Sequence, residues 1–394
     1  MLRRLALITP WPSERTGIAD YAFDLAHGLA EKKIEVDVYT TCTEPVPGES
    51  GIRIFRLNEF TGRKGYDQVV YQMGNCVAFH AEQLPVLFKH PGIVHLHDPS
   101  LHHLIAYFVF RDDTNDYYRL IRKWYGSSVS DWVHQYNETH ENKFWESPHV
   151  VDVPFVDPVL ECATGCIVHS EFARRLVQKR LPNLNVVKHM QAYRHMDWQD
   201  SCSDQEILQI GAFGVVTPHK KIDAILEAVR RCNAAGKKVH FHVGGGMDEA
   251  SQGLPDRARS LGIESDVTFY GRMAEDEFLS CMKRMDVCIS LRYPTMGETS
   301  AIVSRTMQLG LPTIVNDVGW YSELPECVFK LPVEPDAMVE ELANQLCLIS
   351  NDRRQLEKWK STCLQQARST CSFDQVIGDY VESLTCLGSH LKIA

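Results

Sequence analysis

No apolar run in this 394-residue chain reaches the roughly 20 residues that cross a bilayer. A spanning protein is therefore not expected. Among thirteen cysteines there is no Cys-x-x-Cys pair; Cys162 and Cys166 come nearest, and no second pair follows them. This argues against a zinc ribbon or a disulfide framework and for buried, reduced thiols. The Gly-x-Gly-x-x-Gly fingerprint with an acid after the next strand is missing too. Gly244-Gly-Gly246 lies in the wrong context, which speaks against a nicotinamide-dependent dehydrogenase. Positive charge is in deficit, 41 Lys and Arg against 51 Asp and Glu for a net −10, so no nucleic-acid partner is expected. No Asp-x-Asp pair stands at an expected strand end. Asp112-Asp113 falls in a polar loop, and no metal site is expected. The first ten residues are basic, then apolar, like a leader. The apolar run stops too soon, at Thr9-Pro10-Trp11-Pro12, and reads as a first strand; a cytoplasmic location is the expectation.

The composition, 44% hydrophobic and 23% charged, is that of an ordinary globular protein, and the length suits two domains. Apolar runs alternate with amphipathic stretches. Strands are expected at Leu5–Thr9, Val36–Thr40, Gln68–Tyr71, Gly92–His97 and Cys166–His169. A helix over Ile18–Glu31 places Tyr21, Leu25 and Leu29 on one face. The pattern then restarts: strands at Ile207–Ile210, His240–Val243, Val267–Tyr270, Asp286–Leu291 and Thr313–Asn316, with a helix over Ile222–Ala235. Such alternation predicts an α/β protein of two Rossmann-like domains with parallel sheets. The link is placed near Arg194–Asp204, and the residues from Asp352 on are expected to be helical and polar.

The segment Tyr293-Pro-Thr-Met-Gly-Glu298-Thr-Ser-Ala-Ile-Val-Ser-Arg-Thr-Met-Gln-Leu-Gly310-Leu-Pro carries the most chemistry. It reads as a loop, a helix opened by Thr299 or Ser300, and a glycine stop at Gly310. Free amides at a helix N-terminus suit an anion such as a diphosphate, while the Glu298 carboxylate can only accept, as from sugar hydroxyls. A phosphate cradle beside a sugar-reading acid suggests a nucleotide-sugar site. An ordinary capped helix accounts for the same residues. In the region Ser100–Trp132, Tyr107, Phe108, Phe110, Tyr117, Tyr118, Trp124 and Tyr125 are interleaved with Arg119, Arg122 and Lys123. Arg174, Arg175, Lys179 and Arg180 form a second basic helix. These suit a bilayer edge or a lipid-linked acceptor; an amphipathic pair covering the first sheet is the favoured explanation.

In order and spacing, the motifs resemble glycosyltransferase family 4, retaining enzymes with the GT-B fold. They are Thr9-Pro-Trp-Pro-Ser-Glu-Arg-Thr-Gly17-Ile-Ala-Asp20-Tyr21, His95-Leu-His97-Asp98-Pro, Ile167-Val-His169-Ser170-Glu-Phe-Ala, Phe213-Gly-Val-Val-Thr-Pro218-His-Lys220-Lys221 and Val267-Thr-Phe-Tyr-Gly271, followed by the Glu298 segment. The resemblance implies two sheets facing a central cleft, with an acceptor-side domain at 1–198, a nucleotide-sugar domain at 199–372, and a C-terminal helix at 373–394 crossing back to the first. It implies a metal-independent transferase that needs no cofactor and uses a nucleoside diphosphate sugar as donor. The acceptor would be a glycan or lipid-linked molecule, in cell-surface polysaccharide or glycoconjugate synthesis, with the enzyme at the inner face of the membrane. His97, Lys220 and Glu298 would be catalytic. His97 would lie near the reacting sugar, through its ring facing the cleft or through its backbone. Gly17, Asp20, Gly214, Lys221, Tyr270, Gly271, Thr299, Ser300 and Arg305 would hold the donor. Two departures stand out: Gly214 and Val215 lie where the family carries an arginine upstream of Lys220, and Ser304-Arg305 replaces a second glutamate. Lys221 or Arg292 are the candidates to replace the missing arginine, and Arg305 could face the diphosphate or pair with an acid. A phosphorylase-like enzyme and a non-catalytic nucleotide-sugar binder are the alternatives.

Overall fold

The computed structural model describes residues 2–110, 114–196 and 206–389. Asp112 and Asp113 lie outside the described residues, as does the side chain of Phe110 and most of the expected link. The chain divides into two compact units: Met1–Arg194 with Met296–Thr299 and Phe373–Ala394, and His195–Thr295 with Ser300–Ser372.

The first unit is built on seven strands: β1 (Arg4–Ile8), β2 (Glu35–Thr40), β3 (Ile52–Arg56), β4 (Gln68–Met73), β5 (Ile93–Leu96), β6 (Gly165–Val168) and β7 (Val186–Lys188). All pairs are parallel, in the order β3-β2-β1-β4-β5-β6-β7. Central strands are buried on both faces, which is why they read as continuous apolar runs. The helix Gly17–Glu31 follows β1. Thr16 caps it by accepting from the Ile18 amide, and Tyr21, Leu25 and Leu29 are buried as the periodicity predicts.

The second unit has six parallel strands: β8 (Leu208–Phe213), β9 (Val239–Gly244), β10 (Val267–Gly271), β11 (Val287–Ser290), β12 (Thr313–Asn316) and β13 (Val328–Leu331), in the order β10-β9-β8-β11-β12-β13. Strand order reverses between β1 and β4 in the first sheet and between β8 and β11 in the second. Ligands of open parallel sheets bind beyond the strand ends at such reversals.

One charge cluster ties the edge of the first sheet. Asp37 on β2 is fully buried and accepts hydrogen bonds from Arg53 Nε (2.8 Å), Arg53 Nη2 (3.1 Å), Arg4 Nη2 (2.8 Å) and the Tyr66 hydroxyl (2.7 Å). Burial pushes the carboxyl upward, but hydrogen bonds from Arg53, Tyr66 and Arg4 outweigh it and hold the group below its ordinary value. The helix Phe373–Ser389 completes the same unit. Tyr380 is buried with its hydroxyl 3.1 Å from His95 Nδ1, Leu384 O accepts from Gln68 Nε2 (3.1 Å), and Val376 O lies 2.8 Å from His189 Nε2.

The aromatic and basic stretch after Ser100 is largely structural. Tyr117 is buried with its hydroxyl 2.7 Å from His102 Nε2, and the Tyr125 hydroxyl donates to Asp157 (2.6 Å), while Tyr107 and Phe108 stay exposed. The expectation of a second basic surface needs correcting. Arg174 and Arg175 share Glu171, and Arg180 pairs with Asp157, so two carboxylates offset half of the positive charge of Arg174, Arg175, Lys179 and Arg180.

Candidate functional site

In the second unit the turns after β8, β9 and β10 are stitched by backbone bonds: Gly214 N to Gly244 O (2.8 Å), Gly245 N to Gly271 O (2.8 Å) and Val216 N to Gly246 O (2.9 Å). Gly245 has φ +146°, and a Cβ there would sit 2.2 Å from Gly214 O, so only glycine permits this approach. Sequence pattern gave Gly244–Gly246 no place in the site, and their role in shaping the β8 turn depends on that backbone contact.

That turn determines where Lys220 goes. Gly214 adopts φ +84°, and its Cα–H face lies against the ammonium, since a Cβ would come within 2.9 Å of Nζ. Lys220 Nζ donates to Phe213 O at 2.6 Å. Burial lowers its pKa to about 7, the positive charge of Arg292 adds to the fall, and Cys288 opposes it. Lys220, half-buried, therefore holds a partly desolvated amine at the carboxyl end of β8. Lys221 has left-handed φ (+50°) and precedes the helix Ile222–Ala234. Ser300 caps the helix Ala301–Gln308, its Oγ accepting from Val303 N at 3.3 Å, and Ile302 of that helix lies 3.5 Å from where a Gly214 Cβ would be. Gly214, Lys220, Arg292 and the Ser300 helix start thus share the strand-order reversal of this sheet.

Two of the remaining second-unit candidates, Arg305 and Tyr270, hold side-chain partners. Arg305 is buried and donates to Glu275 Oε1 at 2.6 Å, so of its two expected partners, diphosphate or acid, it has taken an acid. The Tyr270 hydroxyl lies 2.9 Å from His242 Nδ1, and Gly271 has φ +67° with open space around its Cα.

In the first unit, Gly17 opens the helix after β1 with nothing within 4 Å of a notional Cβ, and Asp20 is exposed in the first turn. Room for close approach is what a ligand at that turn would require. Met296–Thr299 belong to this unit. Gly297 has φ +84°, and a Cβ there would meet Phe172 at 2.5 Å and Pro99 at 2.7 Å, so the loop is pinned beside the ends of β5 and β6. Glu298, half-buried, accepts from Met296 N through Oε2 at 2.7 Å.

His97 departs from expectation. Its ring does not face outward. It is buried, with Nε2 on Gln72 Oε1 and Nδ1 3.0 Å from His169 Nε2. The reason lies in periodicity: His95 and His97 share one face of β5, and Tyr21 of the helix after β1 packs edge-on against both rings. Of the two contributions implied for His97, ring or backbone, the ring is occupied. Gln72, His169 and Tyr21 were not foreseen around it. The i, i+2 histidine pair was visible, but the neighbouring strands that surround it were not.

Residues 204–352 match a family described as Glycosyl transferases group 1. No curated protein sequence matches the chain. Among solved structures, the chain is similar to HepE of Anabaena, crystallised with UDP and glucose, at TM-score 0.63 and 16% identity over 98% of this chain and 100% of that one. It is also similar to sucrose-phosphate synthase of Thermosynechococcus elongatus, at TM-score 0.65 and 14% identity over 98% and 100%. WaaG, a glycosyltransferase involved in lipopolysaccharide biosynthesis, matches at TM-score 0.63 and 14% identity over 97% and 99%. At these identities the likeness shows the fold, which is GT-B.

Proposed function

We propose that this protein is a glycosyltransferase that moves a sugar from a nucleoside diphosphate sugar to a glycan or lipid-linked acceptor, with retention at the anomeric carbon. The observation that carries the reading is Lys220. Its amine is partly desolvated at a strand-order reversal, beside a capped helix start, inside the segment that matches the group 1 transferases. A partly desolvated amine of this kind gains from an anionic ligand, because their attraction is less screened there than in bulk water. HepE crystallised with UDP supports a uridine nucleotide as the first donor to try.

In this reading, no residue attacks the sugar. The leaving phosphate oxygen accepts the acceptor's proton on the face it departs from. Lys220 and the amides at Thr299–Ser300 stabilise the charge growing on the diphosphate. Glu298 accepts hydrogen bonds from the sugar's hydroxyls, and its own anchor to Met296 N fixes its orientation. Thermal shift across a panel of nucleotide sugars identifies the donor, and the anomeric configuration of the product tests retention. A panel in which no nucleotide sugar stabilises the protein overturns the reading. A second reading, binding without turnover, is favoured by Val215, 62% exposed where the resemblance implies an arginine. Tight nucleotide binding with neither transfer nor donor hydrolysis would support it.

Lys220 supplies a test of its own. With the free amine poised at about 7, a bound diphosphate favours the charged form and raises the pKa. Binding at pH 8 should take up about one proton per complex, and affinity should weaken as pH rises through 7 to 9. Calorimetry in buffers of different ionisation enthalpy measures the uptake. Lys220→Met should abolish it, whereas equal uptake in parent and variant would remove Lys220 from the site.

A further inference from the structure

We propose that His95, His97 and His169 form a buried binding site for one Zn²⁺ ion in the first unit. One ligand atom from each of these buried residues can be chosen so that all lie within 4.8 Å of one another. The three rings form a nearly equilateral triangle, with centroids 4.7, 4.6 and 4.8 Å apart. Tyr21 covers it from the helix after β1, its ring centroid 5.6, 5.2 and 5.5 Å from theirs. Two ligands two residues apart on one strand with a third on its neighbour are placed there by the pleat. Side chains at i and i+2 share a face, and the register Leu96↔Val168 sets His97 opposite His169 just beyond the strand ends.

The hydrogen-bond pattern is what calls for a cation. A neutral imidazole carries a single N–H. His169 Nδ1 faces His189 O at 3.0 Å, and His97 Nε2 faces Gln72 Oε1. Both partners are acceptors, so each takes the N–H of its ring. His97 Nδ1 and His169 Nε2, 3.0 Å apart, are then left with lone pairs pointing at each other. At His95, Nδ1 meets the Tyr380 hydroxyl at 3.1 Å, which can accept the ring's N–H, and Nε2 is buried with no protein partner. Each ring therefore has one nitrogen held by an outer partner and the other turned inward, the arrangement in which metal-bound histidines are oriented. Two nitrogens bound to tetrahedral zinc at about 2.0–2.1 Å lie about 3.3 Å apart, so the His97–His169 pair needs to open only slightly. Neutral imidazoles suit zinc, and three of them leave one coordination position for water. Turning the Gln72 amide over would make it a donor instead. His97 would then bridge to His169 by its own proton, and no ion would be required.

The two arrangements separate in tag-free, full-length protein. After dialysis against a chelator, added Zn²⁺ should bind at about one ion per chain and raise Tm, and Co²⁺ should give the visible absorption of four-coordinate cobalt. His95→Gln and His169→Gln should each abolish the cobalt spectrum, while His242→Gln, which alters the histidine pair of the second unit, should leave it. Sub-stoichiometric binding, or a spectrum lost with His242 and kept without the triad, overturns the proposal. Should the triad variants fail to fold, imidazole ¹⁵N shifts of the parent decide it: three rings moving on Zn²⁺ addition support the site, and unmoved rings reject it. None of these readouts depends on transferase activity.

Discussion

Glu298→Gln should lower kcat/KM about 100-fold while leaving the fold unchanged. The amide's carbonyl can still accept from Met296 N, so the loop pinned by Gly297, Pro99 and Phe172 keeps its shape. What disappears is the negative charge. Hydrogen bonds to a charged group are worth about 1.5–3 kcal/mol, or roughly 10- to 150-fold in rate when realised in the transition state. Steady-state kinetics with the donor found by thermal shift, alongside circular dichroism, make the measurement. Turnover within threefold of the parent would show that Glu298 does not touch the sugar.

The largest stability effect is expected at Asp37. Asp37→Ala leaves Arg4 and Arg53 without their shared carboxylate and the Tyr66 hydroxyl without its acceptor. Removing one partner from a buried charge cluster costs about 3–5 kcal/mol; because both guanidinium groups keep access to solvent, the lower end, about 3 kcal/mol, is expected. The pH dependence follows from the depressed pKa of Asp37. A carboxyl held below its unfolded value, near 3.9, stabilises the fold fully above that value, and the contribution is lost as pH falls through the folded one. The gap between parent and variant in urea melts should therefore be full at pH 7 and close below pH 4. A gap that is unchanged at pH 3 would mean the loss is one of packing rather than charge.

Strands β1, β2, β4, β5, β6, β8, β9, β10, β11 and β12 were legible, most of them because parallel strands covered on both faces are rich in apolar residues. Those missed are edge or near-edge strands. In β3, Ile52-Arg-Ile-Phe-Arg56 carries two arginines because one face is open, and β7 runs for only three residues. The helix start at Ser300 was readable from local chemistry, since capping acts within three residues. The states of Lys220 and His97 were not. Each depends on what a distant segment brings against it: the glycine turn around Gly214 and Gly245 for the amine, and Gln72, Tyr21 and His169 for the ring. Arg180 likewise meets Asp157 from 23 residues away, whereas the pairs of Arg174 and Arg175 with Glu171 lie within one helical turn and were open to reading.

The helix Phe373–Ser389 has a consequence for biosynthesis. A ribosome delivers residues in order, so the six-stranded unit is fully translated while the seven-stranded one still lacks the segment that covers Gln68, His95 and His189. The nascent chain must carry that gap for the time needed to make nearly 180 further residues after Arg194, on the order of ten seconds or more. During that interval, Gly28 and Gly165 present bare apolar ground where Ile377 and Leu387 will later sit. This half of the molecule is where a chaperone would be engaged, and truncation before Phe373 would injure the unit made first rather than the one made last.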